Sequence, residues 1–210
     1  MTLKKNDFIE IEFTARVKNT NEIFDPNINE DLKAANLEIE PKPFVFCLGE
    51  GMFLKGVEDF LTGKKEGKYE IELPPEKAFG KRNSSLIQLI PSKIFREQKL
   101  NPVQGVVFNF DGRLAKVLSV SGGRVIADFN NPIAGKDVVY NVNVLRKLED
   151  VNEKAKAFID FLFRKDLKFE IKDKKIIIET EKSMVKFTEL FKDKFKSALD
   201  LDLEVKEVSK

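Results

Sequence analysis

Apolar and polar residues alternate across residues 8–17, FIEIEFTARV, where Ile9, Ile11, Phe13, Ala15 and Val17 share one face. That period of two predicts a strand. Lys18–Asn21 reads as a turn, and Glu22-Ile23-Phe24-Asp25 as a second extended piece that Pro26 interrupts. Residues 27–41 read as a long loop with a short helical stretch, Asp31–Ala35. The next nineteen residues, KPFVFCLGEGMFLKGVEDF (42–60), set four phenylalanines among three glycines. Their alternation over Phe44–Leu48 predicts a strand and the glycines a tight loop. Val57, Phe60 and Leu61 then predict a short helix over 54–61 that stops at Gly63. An ordinary strand-to-helix corner of a core would show the same pattern. Tyr69–Leu73 alternates again and ends at Pro74-Pro75.

The texture changes after Gly80. Residues 84–125 hold short β-like runs (Ile87–Ile90, Val106–Phe110, Leu114–Val120) and one helical turn around Ser92–Arg96. Lys93, Arg96, Lys99, Arg113, Lys116 and Arg124 face only Glu97 and Asp111 there, so the stretch is basic. Residues 128–148 close with a strand, Val138–Leu145. Antiparallel strands around one short helix predict an α+β domain. From Val151 a helix (151–163), two runs (167–171 and 175–179), a second helix with Val185, Phe187, Leu190, Phe191, Phe195 and Leu199, and a last run from Leu201 give α-β-β-α-β, expected as a small separate domain.

Composition narrows the function classes. Hydrophobic residues at 42% and charged residues at 34% describe a globular chain. No apolar run has the roughly 18–20 residues a membrane-spanning helix needs. The start, MTLKKNDFIEIEF, has no apolar signal core, and the single cysteine fits a reducing compartment, so a cytoplasmic location is expected. A net charge of +2 is too balanced for a whole-protein nucleic-acid footprint. The absence of histidine removes imidazole triads and the common zinc sites. Any enzymatic chemistry here must need little acid–base help.

Several segments together resemble the FKBP-type peptidyl-prolyl isomerases, in particular their SlyD-like long form with a domain inserted in the flap. They are Glu22–Asp25, Lys42–Gly49, Leu54–Glu58, Gly63–Gly67, Leu73–Gly80, Leu86–Pro91 and Asp128–Gly135. Their order and spacing over residues 5–148 carry the likeness, and the long loop at 27–41 with the extra C-terminal segment looks like the long archaeal members. The resemblance implies a half-barrel of antiparallel sheet around a short helix (1–83 plus 126–149), a small β-rich insert (84–125) and a C-terminal α+β domain (150–210). It implies rotation of X–Pro bonds in unfolded chains, with no cofactor or metal.

By the same resemblance, Asp25, Phe24, Phe79 and Tyr140 are the expected catalytic residues. Phe13, Phe44, Phe53, Leu54 and Val57 are expected to line the proline pocket. Many members carry tyrosine at the positions of Phe13 and Phe79, so both hydroxyls are missing here. An Asx turn before Pro26 is the plain structural alternative for Asp25. In the insert, Ile87, Leu89, Phe95, Val106, Phe108 and Phe110 are expected to bind unfolded chains, since forty residues cannot easily hide so much apolar surface. The alternative is that they form the insert's own core. The C-terminal segment is expected to dimerise or bind clients. A non-catalytic holdase is the rival function. A nucleic-acid module is disfavoured because the basic residues lack interleaved stacking platforms, and no membrane or nucleic-acid partner is expected.

Overall fold

The computed structural model describes residues 1–38, 40–110 and 112–208. Asp111, counted in the insert's charge, and Ser209 and Lys210 of the C-terminal segment lie outside them. Two compact units emerge: Met1–Leu73 with Val138–Lys210, and Pro74–Asp137.

In the first unit, β1 (Phe8–Val17) is the strand the alternation predicts, followed by β2 (Ile23–Pro26), α1 (Asn29–Ala34), β3 (Phe44–Cys47), α2 (Lys55–Leu61) and β4 (Gly67–Leu73). The second unit holds β5 (Ile87–Pro91), α3 (Ser92–Glu97), β6 (Val107–Phe110), β7 (Arg113–Ser121) and β8 (Arg124–Asp128). The chain then returns with β9 (Val138–Lys147), α4 (Val151–Phe163), β10 (Phe169–Lys172), β11 (Lys175–Thr180), α5 (Lys182–Glu189), α6 (Lys192–Leu199) and β12 (Asp202–Glu207).

The main sheet is antiparallel, in the order β2-β1-β9-β4, with β3 also pairing to β1. Along β9, Val138, Tyr140, Val142 and Val144 are buried, the period-two signature of one core-facing side. Leu73 and Val138 are direct register partners, so the chain leaves this unit and re-enters it at one point of the sheet.

The C-terminal segment, expected as a separate domain, belongs to the same compact unit as this sheet. Phe158 of α4 is buried, with its ring edge-on to Phe8 (6.1 Å) and to Phe195 (5.2 Å). The Asn6 amide donates to the Ser197 carbonyl (2.8 Å), and the Ser197 hydroxyl donates to Glu50 (3.1 Å). Asp150 caps α4 by accepting from the Glu153 N–H. The single helix expected around Val185–Leu199 is broken at Leu190-Phe191 into α5 and α6. The break lets Phe191 meet Phe163 (5.3 Å) while Phe195 turns to Phe158. It also makes room for β12 to return parallel to β11.

In the second unit, β5-β8-β7-β6 form one antiparallel sheet. The insert boundary expected at residue 125 cuts through β8, a strand the sequence reading did not separate from the return segment. Exit and re-entry are zipped together. Asn83 and Asn130 exchange two hydrogen bonds (2.8 and 3.0 Å), Arg82 pairs with Asp128 (2.5 Å), and the Gly135 N–H donates to the Gly80 carbonyl (2.8 Å).

Because Phe158 joins the C-terminal segment to β1, Phe158→Ala should destabilise the whole first unit by about 3–5 kcal/mol. Urea denaturation should show the sheet and the C-terminal helices unfolding in one transition. Two separate transitions would make residues 150–210 an independent domain.

Candidate active site

The loop between β3 and α2 is shaped by one carboxylate. Glu58, in the first turn of α2, is 4% exposed. It accepts hydrogen bonds from the backbone N–H groups of Gly49 (2.8 Å), Phe53 (2.8 Å) and, at longer range, Gly51 (3.4 Å). Gly49 and Gly51 both have positive φ (+87° and +69°), which folds their N–H groups inward and which other residues adopt at a cost. The loop is thus wrapped around a buried anion, and Phe53 is held at its end. Gly49 and Gly51 serve this wrapping.

Phe53 is the hub of a ring cluster. Its centroid lies 4.9 Å from Phe13, 5.3 Å from Phe46, 5.5 Å from Phe44 and 5.8 Å from Tyr140. Phe24 meets Tyr140 edge-on at 6.1 Å. Phe44, Phe53, Leu54 and Phe24 are half-buried, while Phe13, Val57 and Tyr140 lie beneath them with little exposure.

A bulge explains how Phe24 and Asp25 come to stand together. β1 and β2 pair Ala15 with Asp25 but Arg16 with Ile23, so Phe24 is the extra residue. A bulge turns two successive side chains toward one side of a strand. On the other side of β1, Ala15 pairs with Tyr140. The Asx-turn alternative for Asp25 has no hydrogen bond to support it among the described residues. The conspicuous Asx contacts come from Asn27, whose side chain accepts from the Phe13 N–H (2.6 Å) and donates to the Ile11 carbonyl (3.1 Å).

Burial raises the pKa of the Asp25 carboxyl, although the residue as a whole remains exposed. The Tyr140 phenol is also pushed up, first by burial and then by the charge of Asp25. Cys47 is no nucleophile: burial, reinforced by Glu50, Glu58 and Asp7, pushes its thiol up to about 12. No cluster among the described residues has the His, Cys, Asp or Glu set to hold a metal ion. What is built is a dry aromatic wall with a carboxylate at its edge.

Of the residues expected at this site, Phe13, Phe24, Asp25, Phe44, Phe53, Leu54, Val57 and Tyr140 fall in the first unit. Phe79 falls in the second, just after a 3-10 turn at Pro75–Lys77, and is half-buried. Sequence reasoning missed the roles of Phe46 and Glu58. An acidic residue between Val57 and Leu61 on a short apolar helix, beside a glycine-rich loop, was the available signal for Glu58. A cavity of about 600 Å³ opens elsewhere in the unit, lined by Pro26, Val45, Leu148 and Phe161 among others, and shares only Phe44 with the expected proline site.

In the second unit the apolar residues sort onto two faces. Phe95 is fully buried against Val117 and Val125, and Phe108 and Phe110 pack edge-on to it at 5.6 and 5.2 Å. Phe95 is therefore core and not a client contact, because α3 needs it to close the sheet. The opposite face carries Leu89 directly across from Ile126, with Val107 and Leu114 on the neighbouring strands, all exposed. Ile87 is half-buried and Val106 exposed.

Residues 88–133 match the family described as FKBP26, IF domain. A short-type peptidyl-prolyl cis-trans isomerase of Methanocaldococcus jannaschii is 30% identical over 146 residues, covering 68% of this chain and 92% of that protein. The FKBP-type 16 kDa peptidyl-prolyl cis-trans isomerase of Escherichia coli is 30% identical over 128 residues, 58% of this chain and 85% of that one. The SlyD isomerase of Pasteurella multocida is 26% identical, with 71% of each chain covered. The chain belongs to the FKBP-type peptidyl-prolyl cis-trans isomerases. It is an enzyme of that class, with SlyD-type relatives.

Hydrogen bonds to a charged acceptor contribute about 1.5–3 kcal/mol each. Glu58→Ala should therefore lower stability in urea by about 3 kcal/mol or more, and Glu58→Gln by less, since one acceptor oxygen survives. Asp25 carries the opposite sign. Its raised pKa means that the folded state binds the proton more tightly than the unfolded one, so the ionised group weakens folding at neutral pH. That penalty fades as pH falls through the raised value and is gone below the ordinary aspartate range. Asp25→Asn should raise Tm modestly at neutral pH and leave it unchanged in acid.

Proposed function

We propose that the ring cluster around Phe53 receives the proline of an unfolded or partly folded polypeptide and lowers the barrier to rotation of the bond before it. The observation that carries this is the convergence of Phe13, Phe24, Phe44, Phe53 and Tyr140 on one spot with Asp25 beside it. An X–Pro bond turns over a barrier of about 20 kcal/mol, and no covalent bond is made or broken. At the twisted state the amide resonance is lost and the carbonyl carries less charge, so water serves it less well. A dry aromatic wall favours that state over the planar one. In this reading the five-stranded sheet curls as a half-barrel round α2. Val57 is the floor, Asp25 meets the substrate carbonyl region, and the Leu54 N–H anchors the chain beyond the proline. The absence of histidine is no handicap to this chemistry.

We further assign a chaperone role to the second unit as an insert in the flap of the isomerase domain. Its outer face, with Leu89, Ile126, Val107 and Leu114, supports the reading, and Lys116 on that face adds a positive charge. This replaces Phe95 in the client-binding set and keeps Leu89, with Ile87 at the margin. The C-terminal segment's reading as a dimerisation or client-binding element rests on Phe187, in the last turn of α5, and Leu190, just after it, both exposed. Location in the cytoplasm is part of the same proposal. No helix among the described residues is long and apolar enough to cross a membrane.

Phe53→Ala should lower kcat/KM on a proline tetrapeptide about tenfold, equivalent to about 1.4 kcal/mol, in a protein that still folds. An unchanged rate would remove the site assignment and favour the holdase. Replacing residues 84–129 by a short glycine-containing link should leave tetrapeptide activity intact, since Asn83 and Asn130 already stand side by side and closing a loop there costs little. Activity on a proline-limited refolding protein should fall sharply, because the insert no longer concentrates client chain. Equal retention on both substrates would end the chaperone reading.

A further inference from the structure

A single row of residues crosses the main sheet beneath the site. Ala15 is opposite Asp25 on β2 and opposite Tyr140 on β9, and Tyr140 is in turn opposite Ile71 on β4. Residues directly opposed in antiparallel strands stand on the same face. A carboxylate and a phenol thus flank a lone methyl group, with about 10 Å between their Cα atoms, two strand spacings. That gap lies within the joint reach of the two side chains, and any larger residue at position 15 would fill it. Ala15 is itself fully buried, so the gap is a built feature of the core.

The Tyr140 ring is fixed. Phe24 and Phe53 meet it edge-on at 83° and 86°, and Phe13 leans on it at 31°. The residue is 1% exposed, yet its hydroxyl makes no hydrogen bond among the described residues. No fully buried side-chain oxygen among them lacks a partner, so the hydroxyl is the part of Tyr140 that stays open. The Asp25 carboxyl, partly desolvated, likewise has no hydrogen bond among them. The charge of Asp25 is felt at the phenol. Two complementary groups stand near each other, neither bonded to a protein partner among the described residues, in a site from which a bound substrate would expel water.

We propose that the Tyr140 hydroxyl donates a hydrogen bond across Ala15 to the Asp25 carboxylate when a proline occupies the site, making Tyr140 the positioning residue for Asp25. The inference rests on the ring cluster being the proline site. The bond keeps the carboxylate ionised and aimed as its solvent is removed, and it is made only once the bound proline has excluded water.

Four proteins test this on a tetrapeptide: Tyr140→Phe, Asp25→Asn, their double variant, and Phe53→Ala. Tyr140→Phe keeps the ring packing and should lower kcat/KM about fivefold, the range of one charge-assisted hydrogen bond. Asp25→Asn should lose at least as much, and the double variant no more than Asp25→Asn alone. Additive losses would overturn the proposal, because the hydroxyl would then act on something other than Asp25. If Asp25→Asn and Phe53→Ala lose activity while Tyr140→Phe does not, the proposal fails and the site stands. If Asp25→Asn and Phe53→Ala both keep full activity, the site assignment itself fails. A spectroscopic arm needs no turnover. The chain has two tyrosines and no tryptophan, so Tyr69→Phe leaves Tyr140 as the sole emitter. Adding a proline peptide that lacks tyrosine and tryptophan should quench that emission, as carboxylate hydrogen bonding does to phenols, and should not in Tyr69→Phe/Asp25→Asn. Equal quenching in both, or none in either, overturns the proposal.

Discussion

The buried carboxylate of Glu58 is the constraint on which the site depends. A short helix beginning after Leu54 has no side-chain cap at its N-terminus. Glu58 instead turns back on the preceding loop and gathers N–H groups from Gly49 to Phe53. An ionised acceptor inside a protein must be saturated or it destabilises the fold, so the loop has little freedom once the anion is in place. The same wrapping lifts Phe53 into the middle of the ring cluster. The Thr62 hydroxyl donates to the Glu58 carbonyl (2.9 Å), so this one residue organises both ends of α2. Rigidity in the aromatic wall is therefore electrostatic in origin, although the wall itself is apolar.

The second constraint is the bulge in β2. Without the extra residue, Phe24 and Asp25 would point to opposite sides of the strand. The irregularity lets one short strand contribute both an aromatic edge and a carboxylate to the same site. The nearby Arg16–Asp31 pair (2.9 Å) and the Thr14 hydroxyl bonded to Asp31 (2.5 Å) fasten α1 to β1, holding the chain that follows β2. The irregular pairing is here surrounded by contacts that pin it.

Most elements were legible because they obey a period. β1 and α4 match their expected spans residue for residue, since each has a long apolar face with clear stops. The errors have distinct physical causes. β8 was not separated from the return segment because five residues alternating inside a run of turns carry little periodic signal. Its hairpin partner β7, across Gly122-Gly123, was needed to see it. The second C-terminal helix was drawn unbroken because Phe187, Phe191 and Phe195 keep a spacing of four, yet two separate aromatic partners pull the last two apart. For Phe95 the sequence left client contact and insert core as alternatives, and the sheet decides for core. Resemblance named rings that the structure brings into one cluster, but it could not give the reason for their placement. That reason lies in hydrogen bonds to backbone groups, which leave no mark in residue spacing.

The chemistry explains why so little polar equipment suffices. A reaction that only twists an amide asks for a surface that discriminates between planar and twisted states, and burial does that without a proton donor or a metal. The one ionisable group retained at the edge, Asp25, is held under desolvation that works against the fold, a pattern expected where function and stability pull in different directions. In the proposal made above, a residue kept at such a disadvantage is steered at the moment water leaves by a phenol in the same row, on β9, one strand beyond β1. The small side chain between them, Ala15, then acquires a meaning that neither its burial nor its strand propensity conveys: it is the space through which two strands of the sheet can address one substrate.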